Sequence, residues 1–537
     1  MSDGGVPPPG GSGSEGGGRR IARSTAFFSL ATGLSRIAGL AREIIAASYF
    51  GVSGAMSAFT VAFQVPNLMR ALFADAALQG AFVPIFTELL EKGRRREALT
   101  VAWSVFSLMT ALLGALTLLF FLLAGPIMSA VTPGFDHSPE LRHLTITMSR
   151  VMFPVVLLLA LSGIVVGMLN SLGHFSVPAL TPVVWNVIIL GALVLLRHSF
   201  SPQHEIYAYA IGVLLGTIAQ FLIPLPVLFR AGIPFKLSFD WHNPDVWRVL
   251  RLMLPVTIAL GLINFDALIN SIFGTLVSDS APAAIDKAFR IYQLPQGLFS
   301  VAIATVLFPT LARLAAREDT LGLRLTMANG VRQTLLMLIP SAALMAVLAE
   351  PITRLVYQRG AFGGGATHLV SLSLLCWSFS LPFQGASLLF SRTFFSIQKP
   401  WLNTSLALVN LAVNASFSAI FYYPWGITGV VLGSVAGTAV MAICQAAVLR
   451  RDLGGIDGYM TLRTVARIGL ATVAMGITSW LVWKFFDVAL GRSLIAQIAS
   501  LGLGIGTGLL VYARAVIVMR VTEAHQIRRL LLSRARL

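Results

Sequence analysis

From about Arg23 onward the chain alternates long apolar runs with short polar breaks. The runs fall at roughly 25–49, 55–90, 98–131, 144–170, 177–196, 205–229, 248–277, 284–312, 328–351, 367–391, 401–422, 427–449, 460–483 and 494–519. Each is about 20 residues or longer, the length an α-helix needs to cross the hydrocarbon of a bilayer. The pattern predicts an all-α polytopic membrane protein with about 14 transmembrane helices. Residues 1–22, opening MSDGGVPPPGGSGSEGGG, are too rich in Gly and Pro to bury a core and read as a disordered cytoplasmic N-terminus. No small-residue cleavage site follows the first apolar run, so a signal peptide is not expected. Residues 521–537 read as a basic cytoplasmic tail.

The polar breaks carry a topological signal. With the N-terminus placed inside, 26 of the 39 Lys and Arg fall in cytoplasmic loops or tails, in clusters such as Lys92-Arg94-Arg95-Arg96 and Arg450-Arg451. Only Arg142, Arg197, Arg354, Arg359, Lys484 and Arg492 fall outside. This is the positive-inside distribution of a chain with both termini in the cytoplasm. Composition then closes off other classes: 56% of residues are hydrophobic and 11% charged, against roughly 25% charged in soluble domains. Mean hydropathy is +0.80. A soluble enzyme and a disordered hub are excluded. Cys376 and Cys444, both in apolar runs, exclude a disulfide framework or a Cys-based zinc site. The net charge of +17 is accounted for by topology and contact with anionic membrane lipids, so no nucleic-acid partner is expected.

The chain also resembles itself. The stretch from Ala62 (AFQVPNLMRALFADAALQGAFVPIFTEL) matches the stretch from Ala288 (AFRIYQLPQGLFSVAIATVLFPTLARL), aligning Phe63 with Phe289, Phe73 with Phe299 and Phe82 with Phe308. The copies lie six runs apart and enter the membrane in the same sense. Two six-helix lobes follow, 23–232 and 243–453, related by a parallel pseudo-repeat, with two appended helices over 459–520. Repeat-built membrane proteins are mostly transporters.

Seven basic residues remain inside the runs: Arg36, Arg42, Arg70, Arg150, Lys287, Arg290 and Arg332. Acids there include Glu43, Asp75, Asp266 and Asp286. Charge at mid-membrane costs about 2.5–3.5 kcal/mol even on the lenient insertion scale, so such residues face a wet cavity or a partner. Arg36 and Arg42 stand about 240° apart around a helix, and Gly39 between them offers a bend that brings them closer. Arginines converging on a cavity suit a diphosphate, because guanidinium is permanently charged and presents a bidentate fork. The structural alternative is that Arg36 and Arg70 snorkel to the interface or pair with Glu43 and Asp75. No P-loop, H-E-x-x-H or G-x-S-x-G occurs. The histidines are scattered, and the acids Asp452 and Asp457 read as solvated loop residues. A transporter without an ATP motif, not an enzyme, is expected, driven by an ion gradient, the membrane potential or the substrate gradient itself.

The residues Ser35-Arg36-Ile37-Ala38-Gly39-Leu40-Ala41-Arg42-Glu43, Pro66-Asn67-Leu68 with Arg70, Phe73-Ala74-Asp75 and Ala81-Phe82-Val83-Pro84 carry a specific resemblance. So do Pro133-Gly134-Phe135, His174-Phe175-Ser176-Val177-Pro178 with Pro182 and Asn186, and Arg290 with Leu294-Pro295 and Gly297. Over about 24–520 the chain resembles the MurJ (MviN) lipid II flippases of the multidrug/oligosaccharidyl-lipid/polysaccharide exporter superfamily. The resemblance implies two lobes around a central cavity and transfer of undecaprenyl-diphosphate-linked peptidoglycan precursor to the outer leaflet of the cytoplasmic membrane, by a monomer using alternating access. It implies that Arg36, Arg42, Arg70 and Arg290 bind the headgroup, with Ser35, Glu43 and Asn67 as neighbouring polar contacts. It further implies a Na⁺ site at Asp266, Asn410, Asn414, the Val430 backbone and Ser434, with no other cofactor; a buried Asp tied to Asn side chains is the structural alternative. Three positions depart from the family pattern: Ser57 replaces an acid, and Ala283 and Gln293 replace a Ser and an acid. The alternatives are a flippase for another polyprenyl-diphosphate glycan, a cation-coupled drug exporter or, in another class, a membrane glycan enzyme.

Overall fold

A computed structural model describes residues 14–73, 76–236 and 238–525. Asp75 and the tail beyond residue 525 lie outside the described residues. The helices are α1 (Ser14–Phe50), α2 (Gly54–Phe73), α3 (Ala76–Glu91), α4 (Arg95–Val131), α5 (Pro139–Met152), α6 (Pro154–Ser171) and α7 (Ser176–Leu196). Then come α8 (Tyr207–Leu222), α9 (Leu225–Arg230), α10 (Pro244–Val277), α11 (Ala281–Pro295), α12 (Val301–Ala316), α13 (Thr320–Val347) and α14 (Ala349–Tyr357). The last six are α15 (Gly364–Ser378), α16 (Leu381–Ser396), α17 (Pro400–Trp425), α18 (Ile427–Asp452), α19 (Gly458–Leu490) and α20 (Leu494–Val518). No strand occurs among the described residues. Among the described residues the apolar runs are helical, and two of the interruptions within runs fall at proline: Pro154 opens α6, and Pro295 is followed by a π-turn over Gln296–Ser300. Among the described residues, ten helical segments are long and apolar enough to cross a membrane, and α15 with α16, bent by 47°, makes an eleventh.

One difference from expectation lies at the N-terminus. Helix α1 begins at Ser14, inside the stretch expected to be disordered. Extending an existing helix adds one hydrogen bond per residue ordered, so a long apolar helix carries its first turns with it.

The repeat is visible in backbone hydrogen bonding. At the end of α3, Gly93 N–H donates to Leu90 O and Arg94 N–H to Leu89 O; at the end of α12, Glu318 donates to Ala315 O and Asp319 to Leu314 O. At the end of α6, Gly173 donates to Asn170 O and His174 to Leu169 O; at the end of α16, Gln398 donates to Phe395 O and Lys399 to Phe394 O. All four turns put the residue that donates to the i−3 carbonyl in the left-handed region, at φ between 58° and 78°. Partners in the two halves stand 225 residues apart, against the 226 of the aligned side chains.

The chain packs as two compact units. One comprises residues 1–46, 65–124 and 147–260; its core includes Phe82, Phe86, Trp103, Phe106, Ile164 and Val165. The other comprises the described residues within 47–64, 125–146 and 261–537, which end at 525. It contains the core around Leu311, Met327 and Phe394, and a second around Ile468, Met475 and Tyr512 where α13 meets α19 and α20. Ion pairs fasten this last hairpin: Arg324–Asp457 at 2.7 Å, Arg332–Glu523 and Arg354–Asp487.

Candidate functional site

Helix α1 carries a stripe at Ser35, Gly39 and Arg42, three positions that recur on one face at helical spacing. Asn186 of α7 lies against all three. Its Nδ2 donates to Ser35 O and Ser35 Oγ, each at 3.4 Å, and its Oδ1 accepts from Arg42 Nη1 at 3.0 Å. Gly39 faces the same carboxamide: a Cβ there would sit 3.5 Å from Asn186 Oδ1, at ordinary van der Waals contact. Asn186 is held in turn by its own helix, with Nδ2 donating to Pro182 O at 2.9 Å. Pro182 deprives Pro178 O of its usual i+4 donor, and Thr181 Oγ1 supplies one at 2.9 Å.

Arg42 is buried and paired. Nη2 meets Glu43 Oε1 at 2.8 Å, Tyr209 OH of α8 donates to the same oxygen at 3.3 Å, and the guanidinium lies 4.9 Å from the Trp185 ring centroid. Trp185 is fixed by its own N–H donating to Thr217 Oγ1 at 3.1 Å. The counter-ion Glu43 therefore serves Arg42. Arg36 is exposed. Arg70 is half-buried, with Nε and Nη2 both donating to Asn67 Oδ1, at 3.1 and 2.9 Å. These residues belong to the first unit. Arg290, in the second, pairs with Asp286 one turn earlier at 2.9 Å and leaves 38% of its side chain exposed. Asn186, Trp185 and Tyr209 were not among the expected site residues. Asn186 was legible as part of the motif with Pro178 and Pro182, but not as a contact of Ser35 and Arg42.

Two of the three departures from the family pattern meet each other. Ser57 Oγ accepts from the backbone N–H of Ala283 at 3.2 Å, in a buried position. Ser280, which precedes α11, makes no side-chain cap, so Ser57 satisfies a first-turn donor from another helix.

A second polar cluster joins α10, α17 and α18. Asn414 Nδ2 donates to Asp266 Oδ1 at 2.7 Å and to Asn270 Oδ1 at 3.4 Å. Ser434 Oγ donates to Asn270 Oδ1 at 2.9 Å and to Asp266 Oδ2 at 3.3 Å. Ser418 Oγ reaches Asn414 Oδ1 at 3.1 Å and Val430 O at 3.4 Å. Asp266, Asn414, Ser434 and Val430 are thus brought together. Asn410 lies one turn from Asn414, its Oδ1 buried and without a hydrogen-bond donor. One carboxylate among hard neutral oxygens, with an orphaned carbonyl beside it, fits a small cation of the Na⁺ type. The loop acids are engaged structurally: Asp457 with Arg324, and Asp452 with Lys399 at 2.7 Å.

A family model described as lipid II flippase MurJ matches residues 46–522. The chain belongs to the MurJ lipid II flippase family. A probable lipid II flippase MurJ of Bdellovibrio bacteriovorus is 28% identical over 514 residues, covering 95% of this chain and 97% of that protein. A probable lipid II flippase MurJ of Rhizobium meliloti is 30% identical over 476 residues, covering 87% and 88%. Among solved structures, a lipid II flippase MurJ in an inward closed conformation superposes with a TM-score of 0.75 at 23% identity, covering 92% of this chain and 99% of that one. An inward-facing multidrug resistance MATE family transporter of the MOP superfamily gives 0.64 at 17% identity, covering 79% and 96%. These two likenesses establish the fold, a MATE-like transporter architecture in a multi-span membrane protein.

Proposed function

We propose that this MurJ-family chain carries lipid II from the inner to the outer leaflet of the cytoplasmic membrane by alternating access, as a monomer with both termini in the cytoplasm. The observation that carries the reading is the state of its in-membrane arginines. Arg36, Arg70 and Arg290 retain accessible surface, and Arg42 is buried in a cage of Glu43, Trp185, Asn186 and Ser35. Guanidiniums at this depth are matched by a diphosphate, which accepts bidentate hydrogen bonds and neutralises charge that lipid would penalise. Arg36, Arg70 and Arg290 meet the phosphate oxygens, Asn67 orients Arg70, and Arg42 with Glu43 and Ser35 shapes the polar wall. The lobes 23–232 and 243–453 are the moving halves, with 459–520 appended. Asp266, Asn410, Asn414, Val430 O and Ser434 are the residues that would hold Na⁺, which supplies a gradient to couple to. A drug exporter taking cations would need acids without paired arginines, and among the described residues Glu43 is paired with Arg42 and Asp286 with Arg290.

Complementation tests this. Expressed in a bacterium depleted of its own flippase, the chain restores growth. Arg36→Ala, Arg70→Ala and Arg290→Ala, present in the membrane at parental level, do not. Growth supported by all three variants would remove the arginine mechanism.

A further inference from the structure

Asn270 stands one turn beyond Asp266 on α10, is 4% exposed, and was not among the expected ligands. Its Oδ1 accepts from Ser434 Oγ and from the Nδ2 of Asn414, and that same Nδ2 donates to Asp266 Oδ1. A carboxamide NH₂, the positively polarised end of the group, therefore bridges a carboxylate oxygen and a carbonyl oxygen supplied by successive turns of one helix. That is the electrostatic position a cation would take between them. Ser418 fixes the orientation by engaging Asn414 Oδ1.

We propose that Asn270 is itself a ligand of the cation bound at Asp266, and that the site takes one monovalent cation, with the Asn414 amide as its internal stand-in. The proposal rests on the sodium-site reading above. Turning the Asn414 amide by half a rotation withdraws the NH₂ and presents Oδ1 to the same space. Ser418 tolerates the exchange because a hydroxyl both donates and accepts. It then donates to Val430 O, already 3.4 Å away, and accepts from the turned Nδ2. The cation would be met by Asp266, Asn270, Asn414 and Ser434, with Asn410 one turn along α17. Charge count sets the valence. One carboxylate neutralises one positive charge, whereas a divalent ion would leave a net charge buried in the bilayer.

The test uses the purified full chain in detergent, with thermal unfolding followed as NaCl replaces choline chloride at constant ionic strength. The parent is expected to gain stability saturably with Na⁺ and to ignore Ca²⁺ and Mg²⁺. Asn270→Ala should shift the Na⁺ midpoint upward about tenfold or more, since losing even a residue that only supports a metal ligand costs about that much. Asn270→Asp, which keeps an oxygen in place and adds a charge, should acquire a Ca²⁺ response; it carries the test where the alanine variant does not fold. A parental Na⁺ midpoint in Asn270→Ala, with Asp266→Asn abolishing the response, would show that the site is real and Asn270 is no ligand. A Ca²⁺ response in the parent would overturn the monovalent assignment. An Na⁺ response absent from the parent itself would remove the sodium-site reading as a whole.

Discussion

Arg42 and Arg290 show how one residue type divides its work. The Arg42 side chain is 9% exposed and caged by Glu43, Asn186, Trp185 and Tyr209, whereas Arg290 leaves 38% of its side chain open beside Asp286. A buried guanidinium needs acceptors for its N–H groups, so the cage depends on Asn186, the residue that ties Ser35 to Arg42. Asn186→Ala removes the acceptor of a charged donor and leaves that donor buried, which costs about 1–3 kcal/mol. Thermal unfolding of the purified variant should show a lowered midpoint, and complementation should fall with it. Asn186→Ala at parental stability and activity would mean that the cage has no role. The arginines were legible in the sequence because charge inside an apolar run is costly and therefore conspicuous. Asn270 and Tyr209 were not, and Asn186 was legible as a motif residue but not in its role, because an uncharged polar residue in such a run is common, and only the packing of α1 on α7 and α8, or of α10 on α17 and α18, shows what it meets.

Among elements, the close pair α17 and α18 builds the cation cluster by backbone proximity. Gly429, Gly433 and Gly437, spaced one turn apart on α18, lie against Phe421 O, against Asn414 and Ser418, and against Asn410. Small residues at this spacing let two helices approach within the membrane, where no hydrophobic force draws them together. The appended hairpin uses the same device, with Gly504 and Gly508 of α20 against Ser479 of α19. A Cβ at Gly437 would run into both carbonyls of Asn410, so Gly437→Leu must part the helices and displace Asn410. It is expected to lower the unfolding midpoint strongly and to abolish the Na⁺ response, whereas Gly469→Leu, facing open space on α19, should change neither. Equal behaviour of the two variants would contradict the packing account. The four-residue glycine period was present in the sequence all along. Its meaning was not, since glycine is frequent throughout the apolar runs and only three-dimensional contact separates a packing glycine from an idle one.

For the whole molecule, the fold class was legible because bilayer thickness sets run length and because basic residues collect in alternate loops. The repeat was legible as well, and the turns ending α3 and α12, and α6 and α16, repeat it in hydrogen-bond detail, even where Gly93 is matched by Glu318 and Gly173 by Gln398. The backbone demands a left-handed residue at those turns, and two of the four positions accept the strain without glycine. Sequence did not reveal how the chain would divide. The ends of α1, α2, α4 and α5 pack with the second unit, a partition set by tertiary contact that no loop or linker marks. The central claim, that this molecule moves a polyprenyl diphosphate across the bilayer, is tested most directly by asking on which leaflet lipid II resides. In spheroplasts of a flippase-depleted bacterium, an externally added enzyme that cleaves lipid II reads the outer-leaflet pool. Expression of this chain should make most of the lipid II cleavable, and expression of Arg290→Ala should leave it intact and accumulating on the inner face. Lipid II that stays protected from the enzyme while the parent chain is present in the membrane would contradict the account.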